Sequence, residues 1–119
     1  WGETHEIGHN LQRRRLKIYD GQSSEVSNQI FPLHKHWTWR EDTGASLSQD
    51  VVRYRDTFDI LQESVNQADP QQYVYDAIWS STGIYDNNGE RMSFFMQMVH
   101  SSAEFLDDGW DIMTLMYLH

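Results

Sequence analysis

The sequence predicts an α+β fold, a cone-shaped roll in which a curved antiparallel sheet packs against three helices. Two observations carry this prediction. In the N-terminal half, apolar residues recur at helical spacing, whereas after Pro70 they follow the period of two that is typical of strands. Turn signals, Asn88-Gly89 and residues 107–109 (Asp-Asp-Gly), then divide the C-terminal half into three consecutive strands. At 119 residues, the chain is predicted to form a single domain, 1–119.

Three helices are predicted from spacing and capping residues. The first one lies around Leu11 to Tyr19 and stops at the "DGQS" segment, residues 20–23. The second follows a cap at Ser23 or Ser24, with apolar residues at i, i+4 and i+7 (Val26, Ile30 and Leu33). The third follows a cap at Ser48 and carries the longest apolar stripe, which comprises Leu47, Val51, Tyr54, Phe58 and Leu61.

Four strands complete the predicted roll. They are "LHKHWTWR" at 33–40, "QQYVYDAIWSSTGIY" at 71–85, "RMSFFMQMVHSSAEFL" at 91–106 and "WDIMTLMYLH" at 110–119. The last strand is apolar on both faces, so that Met113 and Leu115 need a cover beyond the helices. Since an exposed apolar patch usually marks an interface, we expect a homodimer that forms through the sheet.

Charge and composition exclude several function classes. The formal net charge is −9 and the sequence pI is about 4.9, so that binding to the phosphate backbone of a nucleic acid is not expected. The chain has no cysteine, which excludes disulfides and thiolate metal sites. No apolar run approaches the roughly 20 residues of a membrane span. No signal-peptide pattern is recognised at the start, and we expect a cytoplasmic protein that does not bind membranes.

Short patches of the sequence resemble the nuclear transport factor 2-like superfamily. They are His9-Asn10, "YDGQ" at 19–22, "WTWREDTG" at 37–44, "DPQQYVYDA" at 69–77 and "HSSAEFLDDGW" at 100–110. Within that superfamily the chain is most similar to the SnoaL-like polyketide cyclases and the phenazine-biosynthesis A/B proteins. The resemblance implies a small dimeric protein that acts on a hydrophobic or aromatic small molecule inside the cone.

The phenazine group is expected to use a His on the third helix and a Glu on the last strand as an acid–base pair. The matching positions here hold Asp50 and Met116. A carboxylate can still take a proton, but a thioether cannot. The resemblance therefore supports the fold more strongly than the phenazine chemistry itself.

Three residues are candidates for acid–base catalysis. Asp76 interrupts an aromatic strand, Asp50 lies near the start of the third helix, and His100 shares a strand face with apolar residues. An apolar cavity would move the pKa of a carboxyl group up and that of a histidine down, toward neutrality. Each also has a structural interpretation: a charge on an edge strand for Asp76, a favourable helix-dipole position for Asp50, and a neutral core histidine for His100.

A wall of aromatic residues and methionines is predicted to bind the substrate. Its members are Trp37, Tyr54, Tyr75, Trp79, Met96 and Met116, all of which suit a protein core equally well.

His34-x-His36, with Glu41 and His100, has the residue types of a metal site, but the glycine and the second half-motif expected around such a site are missing. We therefore expect no metal and no cofactor.

Two functions remain open at this point. The favoured one is a cofactor-free isomerase, dehydratase or cyclase in small-molecule biosynthesis. The alternative is a non-catalytic module of the same fold that binds a ligand or assembles as a dimer. The choice rests largely on resemblance, because a fold does not dictate a function.

Overall fold

The computed structural model describes residues 1–19, 23–44, 51–80 and 86–119, without the side chain of Arg15. The regular structure in these ranges is helical. The α-helices are α1 (Gly2–Leu11), α2 (Ser24–Ser27), α3 (Ile30–Thr43), α4 (Tyr54–Ser64), α5 (Pro70–Val74), α6 (Asn88–Ser102) and α7 (Asp111–Leu118). A 3₁₀ turn at Arg14–Leu16 follows α1, and a π-helical turn at Tyr75–Trp79 continues α5.

Helix α6 forms the centre of the described part of the chain. It packs against α2, α4, α7 and the π-helical turn. Its buried apolar residues fall at i, i+3, i+4 and i+7, namely Met92, Phe95, Met96 and Val99. This spacing places them on one face of a helix. They form one core cluster with residues of neighbouring segments: Val26, Ile30, Leu33, Val52, Trp110 and Met113.

Polar contacts within this core are paired across elements. Between α4 and α6, the buried Ser93 hydroxyl donates to Thr57 Oγ1 at 2.9 Å. Beneath the π-helical turn, the buried Arg91 donates from Nε to the Ile78 carbonyl at 2.8 Å and lies over the Trp79 ring. Burial lowers the pKa of Arg91, while the neighbouring Asp86 and Glu90 act in the opposite direction.

The predicted α+β roll is wrong, because the segments expected to be strands are helices wherever the structure describes them. Residues 33–40 lie within α3, where Thr38 donates to the His34 carbonyl four residues earlier at 3.1 Å. Residues 71–79 form α5 and the π-helical turn. The last two predicted strands correspond to α6 and α7. Of the second predicted strand, residues 81–85 lie outside the described residues.

The predicted helices are recovered in part. Helix α4 contains Tyr54, Phe58 and Leu61, as expected, although Phe58 is largely exposed; the predicted cap at Ser48 lies outside the described residues. The second predicted helix is divided at residues 28–29 into α2 and α3. The first helix ends at Leu11, where it was expected to begin.

Two expectations about surfaces depended on the sheet. A homodimer through the sheet is wrong for the described part of the chain, which has no sheet to provide that face. Met113, which was expected to need a partner, is buried inside this chain, whereas Leu115 remains exposed. Separately, none of the helices in the described ranges has the length and apolar character needed to cross a membrane.

Candidate metal centre

Three side chains of the kind that bind metals converge near the N-terminus. His5 and His9 lie on α1, and Glu25 lies on α2. Their ligand atoms all fall within 4.8 Å of one another. The Glu25 Oε2 atom is 3.1 Å from His5 Nε2 and 3.6 Å from His9 Nε2. The three side chains are partly buried, so the cluster lies at the surface but is shielded on one side.

The helical spacing of the two histidines explains how α1 presents them together. Residues four apart lie on the same face of an α-helix, one turn above the other. The two imidazole rings accordingly lie 5.1 Å apart, centroid to centroid, in an edge-to-face arrangement. Both turn the Nε2 atom toward the same carboxylate oxygen. Helix α1 thus presents two candidate nitrogen ligands from one element.

Close packing brings the third ligand to this helix. Gly8 is buried on α1, and a Cβ at that position would lie 3.0 Å from the Asn28 backbone oxygen and 2.8 Å from Phe31 Cδ2. The missing side chain therefore lets α1 approach the segment that joins α2 to α3. The Asn28 side chain fastens the contact, since Nδ2 donates to the His5 carbonyl at 3.0 Å.

The donor set fits a divalent transition metal. Two imidazole nitrogens and one carboxylate oxygen, with a fourth position open to solvent, form the usual ligand set of a catalytic zinc site. Two His and one carboxylate also suit non-haem iron. The arrangement of the two histidines, which flank Glu6 in the pattern H-E-x-x-H on one helix, favours zinc and a metallopeptidase.

The sequence analysis missed this motif, although residues 5–9 (His-Glu-Ile-Gly-His) match the H-E-x-x-H pattern at every defined position. The metal-site residue types considered from the sequence were instead those of His34-x-His36 with Glu41 and His100. Both His34 and His36 lie on α3. The His34 ring is 4.8 Å from the Trp110 ring and the His36 ring is 5.1 Å from the Trp1 ring, centroid to centroid. The H-E-x-x-H spacing was the available signal; Glu25 had no comparable local pattern.

The predicted catalytic residues do not join this centre. Asp50 lies outside the described residues. Asp76 is exposed on the π-helical turn and accepts a hydrogen bond from Gln72 Nε2 at 2.9 Å. His100 is exposed on α6, with Nε2 3.0 Å from Tyr54 Oη. Neither Asp76 nor His100 lines the cleft between α1, α3 and α7 or the two clefts beside Tyr19.

The predicted substrate-binding residues fall into separate groups. The Trp37 ring lies 5.7 Å from the His100 ring, centroid to centroid, and the Tyr54 hydroxyl is within hydrogen-bond distance of the same histidine. Tyr75 and Trp79 instead flank Tyr19 and share a second cleft with it.

The two methionines of this predicted wall both belong to the core region. Met96 is buried within the core cluster, and Met116 packs against that cluster. The six residues therefore do not enclose one chamber, and no finding tests them as ligand contacts.

A larger cleft is lined by residues close in sequence to the candidate ligands but by none of the ligands themselves. It has a volume of about 520 Å³ and lies between the end of α1, the start of α3 and helix α7. Leu11 and Ser27 line it, and these residues lie two positions from His9 and Glu25, respectively. Most of its wall is apolar, with Phe31, Trp110 and Met113 among its residues.

Comparison with known proteins relates the whole chain to a metalloprotease. It is 49% identical over 122 residues to the immunomodulating metalloprotease of Pseudomonas aeruginosa, a match that covers 100% of this chain and 13% of that protein. It superposes with a TM-score of 0.94 on IMPa metallopeptidase in complex with T-antigen, at 49% identity. It superposes equally well, at 48% identity, on IMPa from Pseudomonas aeruginosa in complex with an O-glycopeptide.

In both structures, the match covers 100% of this chain and 14% of the compared chain. The chain thus spans about an eighth of the length of the relatives it matches. No protein-family model matches it.

These similarities correct the predicted family and function. The resemblance to the nuclear transport factor 2-like superfamily, to SnoaL-like cyclases and to phenazine-biosynthesis proteins is wrong, since the similar proteins are metallopeptidases. The isomerase, dehydratase or cyclase function is wrong for the same reason, and the alternative binding or assembly module of that fold finds no support. The predicted small hydrophobic ligand is also wrong, because the similar proteins are seen with glycans and glycopeptides.

Proposed function

We propose that this chain carries the metal-binding part of a metallopeptidase that cleaves O-glycosylated peptides. One observation carries the proposal: an H-E-x-x-H motif and a third ligand meet in space, in a chain that is 49% identical throughout to a metalloprotease. The substrate class follows the T-antigen and O-glycopeptide complexes of the similar structures. The single domain at 1–119 and the cytoplasmic location stay predictions, which no finding tests.

His5, His9 and Glu25 would hold the metal, with His Nε2 atoms and a Glu25 carboxylate oxygen as ligands. Zinc held by these residues would supply Lewis-acid polarisation of a water molecule and of the substrate carbonyl. The chain's own contribution to the reaction is then positioning and proton transfer. Two ligands come from a single helix and the third from α2, so the relative placement of these elements sets the geometry of the site.

Glu6 is the candidate general base. It follows His5 on α1 and is exposed, so its carboxylate is accessible to water and substrate. In the H-E-x-x-H pattern, the carboxylate takes a proton from the attacking water and can pass it to the departing amine. The positions of His5 and His9 on either side of it keep the candidate base and two of the three candidate ligands on one helix.

The test uses the full-length protein that contains this chain. A synthetic O-glycopeptide is incubated with wild type, Glu6→Gln and Glu3→Gln, and cleavage is followed by mass spectrometry, with zinc content measured in parallel. We expect Glu6→Gln to reduce the cleavage rate by about 10²–10⁴-fold, the usual contribution of a general base. Its zinc content should equal that of wild type, because Glu6 is not a ligand.

Glu3→Gln is the matched control, since Glu3 is an exposed acidic residue in the first turn of the same helix. It should cleave at the wild-type rate. His5→Ala should lose both zinc and activity. Wild-type activity in Glu6→Gln, or a wild-type protein without bound zinc, would contradict the proposal. The same peptide without its glycan separates a general peptidase from one that requires the sugar.

A further inference from the structure

We infer that Gln12 is a positioning residue of the candidate metal centre, which fixes the tautomer of His9 and fastens α2 beside α1. The inference rests on the proposed function and adds a residue outside the H-E-x-x-H motif. Gln12 is the residue at the C-terminal end of α1, where the backbone turns from helical to extended conformation. Its side chain is partly buried and contacts both halves of the site.

The orientation of the Gln12 amide is determined by its partners on α2. Its Nε2 donates to the Ser24 carbonyl and, at 2.8 Å, to Ser27 Oγ. A backbone carbonyl can only accept a hydrogen bond, so the NH₂ group must face Ser24 and the oxygen must face the other way. Both N–H donors of the amide are thus occupied, and Oε1 is turned toward α1.

This orientation determines which nitrogen of His9 carries the proton. His9 Nδ1 lies 3.2 Å from Gln12 Oε1. Because Oε1 can only accept, Nδ1 must donate, and the neutral ring then keeps its free lone pair on Nε2. That Nε2 is the atom that faces Glu25. An outer hydrogen bond to the remote nitrogen of a metal-binding histidine is the usual means of fixing its tautomer and ring orientation.

The same amide also restrains the third ligand. Ser24 and Ser27 belong to α2, the four-residue helix that carries Glu25. A helix this short has little stability of its own, so contacts from outside must hold it. Gln12 supplies two such contacts, to Ser24 and Ser27. Its third hydrogen bond, to His9, connects this helix to a candidate ligand on α1.

The test measures metal binding and a spectroscopic signature in the full-length protein. Zinc affinity is determined by competition with a chromophoric chelator, and the visible absorption of the Co²⁺-substituted protein reports ligand geometry. Gln12→Met keeps the length of the side chain and removes all three hydrogen bonds. We expect its zinc affinity to fall by about 10–100-fold, with an altered Co²⁺ spectrum, as for outer-shell residues of other sites.

Gln62→Met is the matched control, because Gln62 is an exposed glutamine on α4. It should leave both measurements unchanged. If Gln12→Met does not fold, Ser27→Ala decides instead, since it removes only the bond from Gln12 Nε2 to the Ser27 hydroxyl. There we expect a loss of several-fold in zinc affinity.

The outcomes separate this inference from the proposed function. Wild-type zinc affinity and an unchanged Co²⁺ spectrum in a folded Gln12→Met protein would overturn the role of Gln12 and leave the metallopeptidase proposal standing. If Ser27→Ala is the deciding variant, wild-type affinity there would do the same. A wild-type protein that binds no zinc would overturn both. Weakened binding in the deciding variant with an unchanged Gln62→Met control supports the inference.

Discussion

Replacing Gly8 with alanine tests whether close packing of α1 sets the geometry of the metal centre. Gly8 is buried on α1, directly before His9, and faces Asn28 and the start of α3. A Cβ there would lie 2.8 Å from Phe31 Cδ2 and 3.0 Å from the Asn28 backbone oxygen. The Phe31 ring is partly exposed and can turn aside, but the Asn28 oxygen belongs to the backbone. Helix α1 must therefore move by a few tenths of an ångström.

Two effects on the free energy of unfolding oppose each other. Alanine is favoured over glycine inside a helix by about 1 kcal/mol. Overpacking of a buried contact costs about 1–3 kcal/mol. The net change is thus a destabilisation of up to about 2 kcal/mol. Zinc affinity should also fall, because His5 and His9 would move with α1 while Glu25 stays with α2, which changes the distances between the three candidate ligands. We expect zinc affinity to fall by about tenfold or more, as for misplaced groups in other sites.

The assay combines chemical denaturation of the zinc-free full-length protein with chelator competition for zinc. Gly2→Ala is the control, since Gly2 lies on the same helix and a Cβ there would meet nothing within 4 Å. It should keep wild-type zinc affinity and stability, or gain slightly in stability. If Gly8→Ala matched Gly2→Ala in both measurements, the packing of α1 could not be what positions the ligands.

Two further predictions concern other parts of the chain. Gly109→Ala should destabilise the protein by about 1–3 kcal/mol, because the added methyl group would clash with the Val99 carbonyl. A thermal melt followed by circular dichroism would detect this loss of stability, and an unchanged melting temperature would contradict the prediction. A hydrogen bond with Glu63 is the main cause of the raised pKa of Tyr73. This interaction therefore contributes stability that is fully present below the ordinary tyrosine pKa and is lost as the pH rises through the raised pKa of the folded protein. Glu63→Gln should lower the Tyr73 pKa toward its ordinary value in a ¹³C NMR titration, and an unshifted curve would exclude Glu63 as the cause.

The C-terminal half shows why alternation alone misassigned the fold. In α6, residues 92–99 contain apolar side chains at both period two and period 3.6, and the structure buries the helical set. The expected strand was 16 residues long, well beyond the five or six that are common, which favoured a helix. Asn87 has a positive φ of 55°, as expected for a turn, but it leads into α6 instead of a hairpin.

Helix α5 had a readable start signal. Asp69 accepts a hydrogen bond from the Gln72 backbone N–H at 3.0 Å, and Pro70 occupies the first turn. An Asp cap followed by Pro is typical of a helix N-terminus. The β-branched and aromatic residues that follow, within 73–79, favoured a strand by propensity, which is a weak guide when tertiary packing decides.

The candidate site divides in the same way between local and non-local information. His5 and His9 form a local pattern that helical geometry alone places on one face, and Glu6 lies between them, so the sequence contained two candidate ligands and the candidate base. Glu25 is sixteen residues beyond His9 and joins the candidate metal centre only because α2 folds back onto α1. No periodicity of apolar residues encodes that return.

Side-chain hydrogen bonds connect the α2 segment to α1. A prediction based on the pattern of apolar residues therefore identifies the core but not the candidate site. Asn28 is fully buried and binds the backbone of α1 at His5, while Gln12 binds α2 from the other direction. A buried polar group without its partner is costly, so these bonds specify one arrangement of the two helices. The core around α6 can tolerate changes in apolar residues that conserve volume, whereas the candidate metal ligands are positioned by hydrogen bonds from two side-chain amides, those of Gln12 and Asn28.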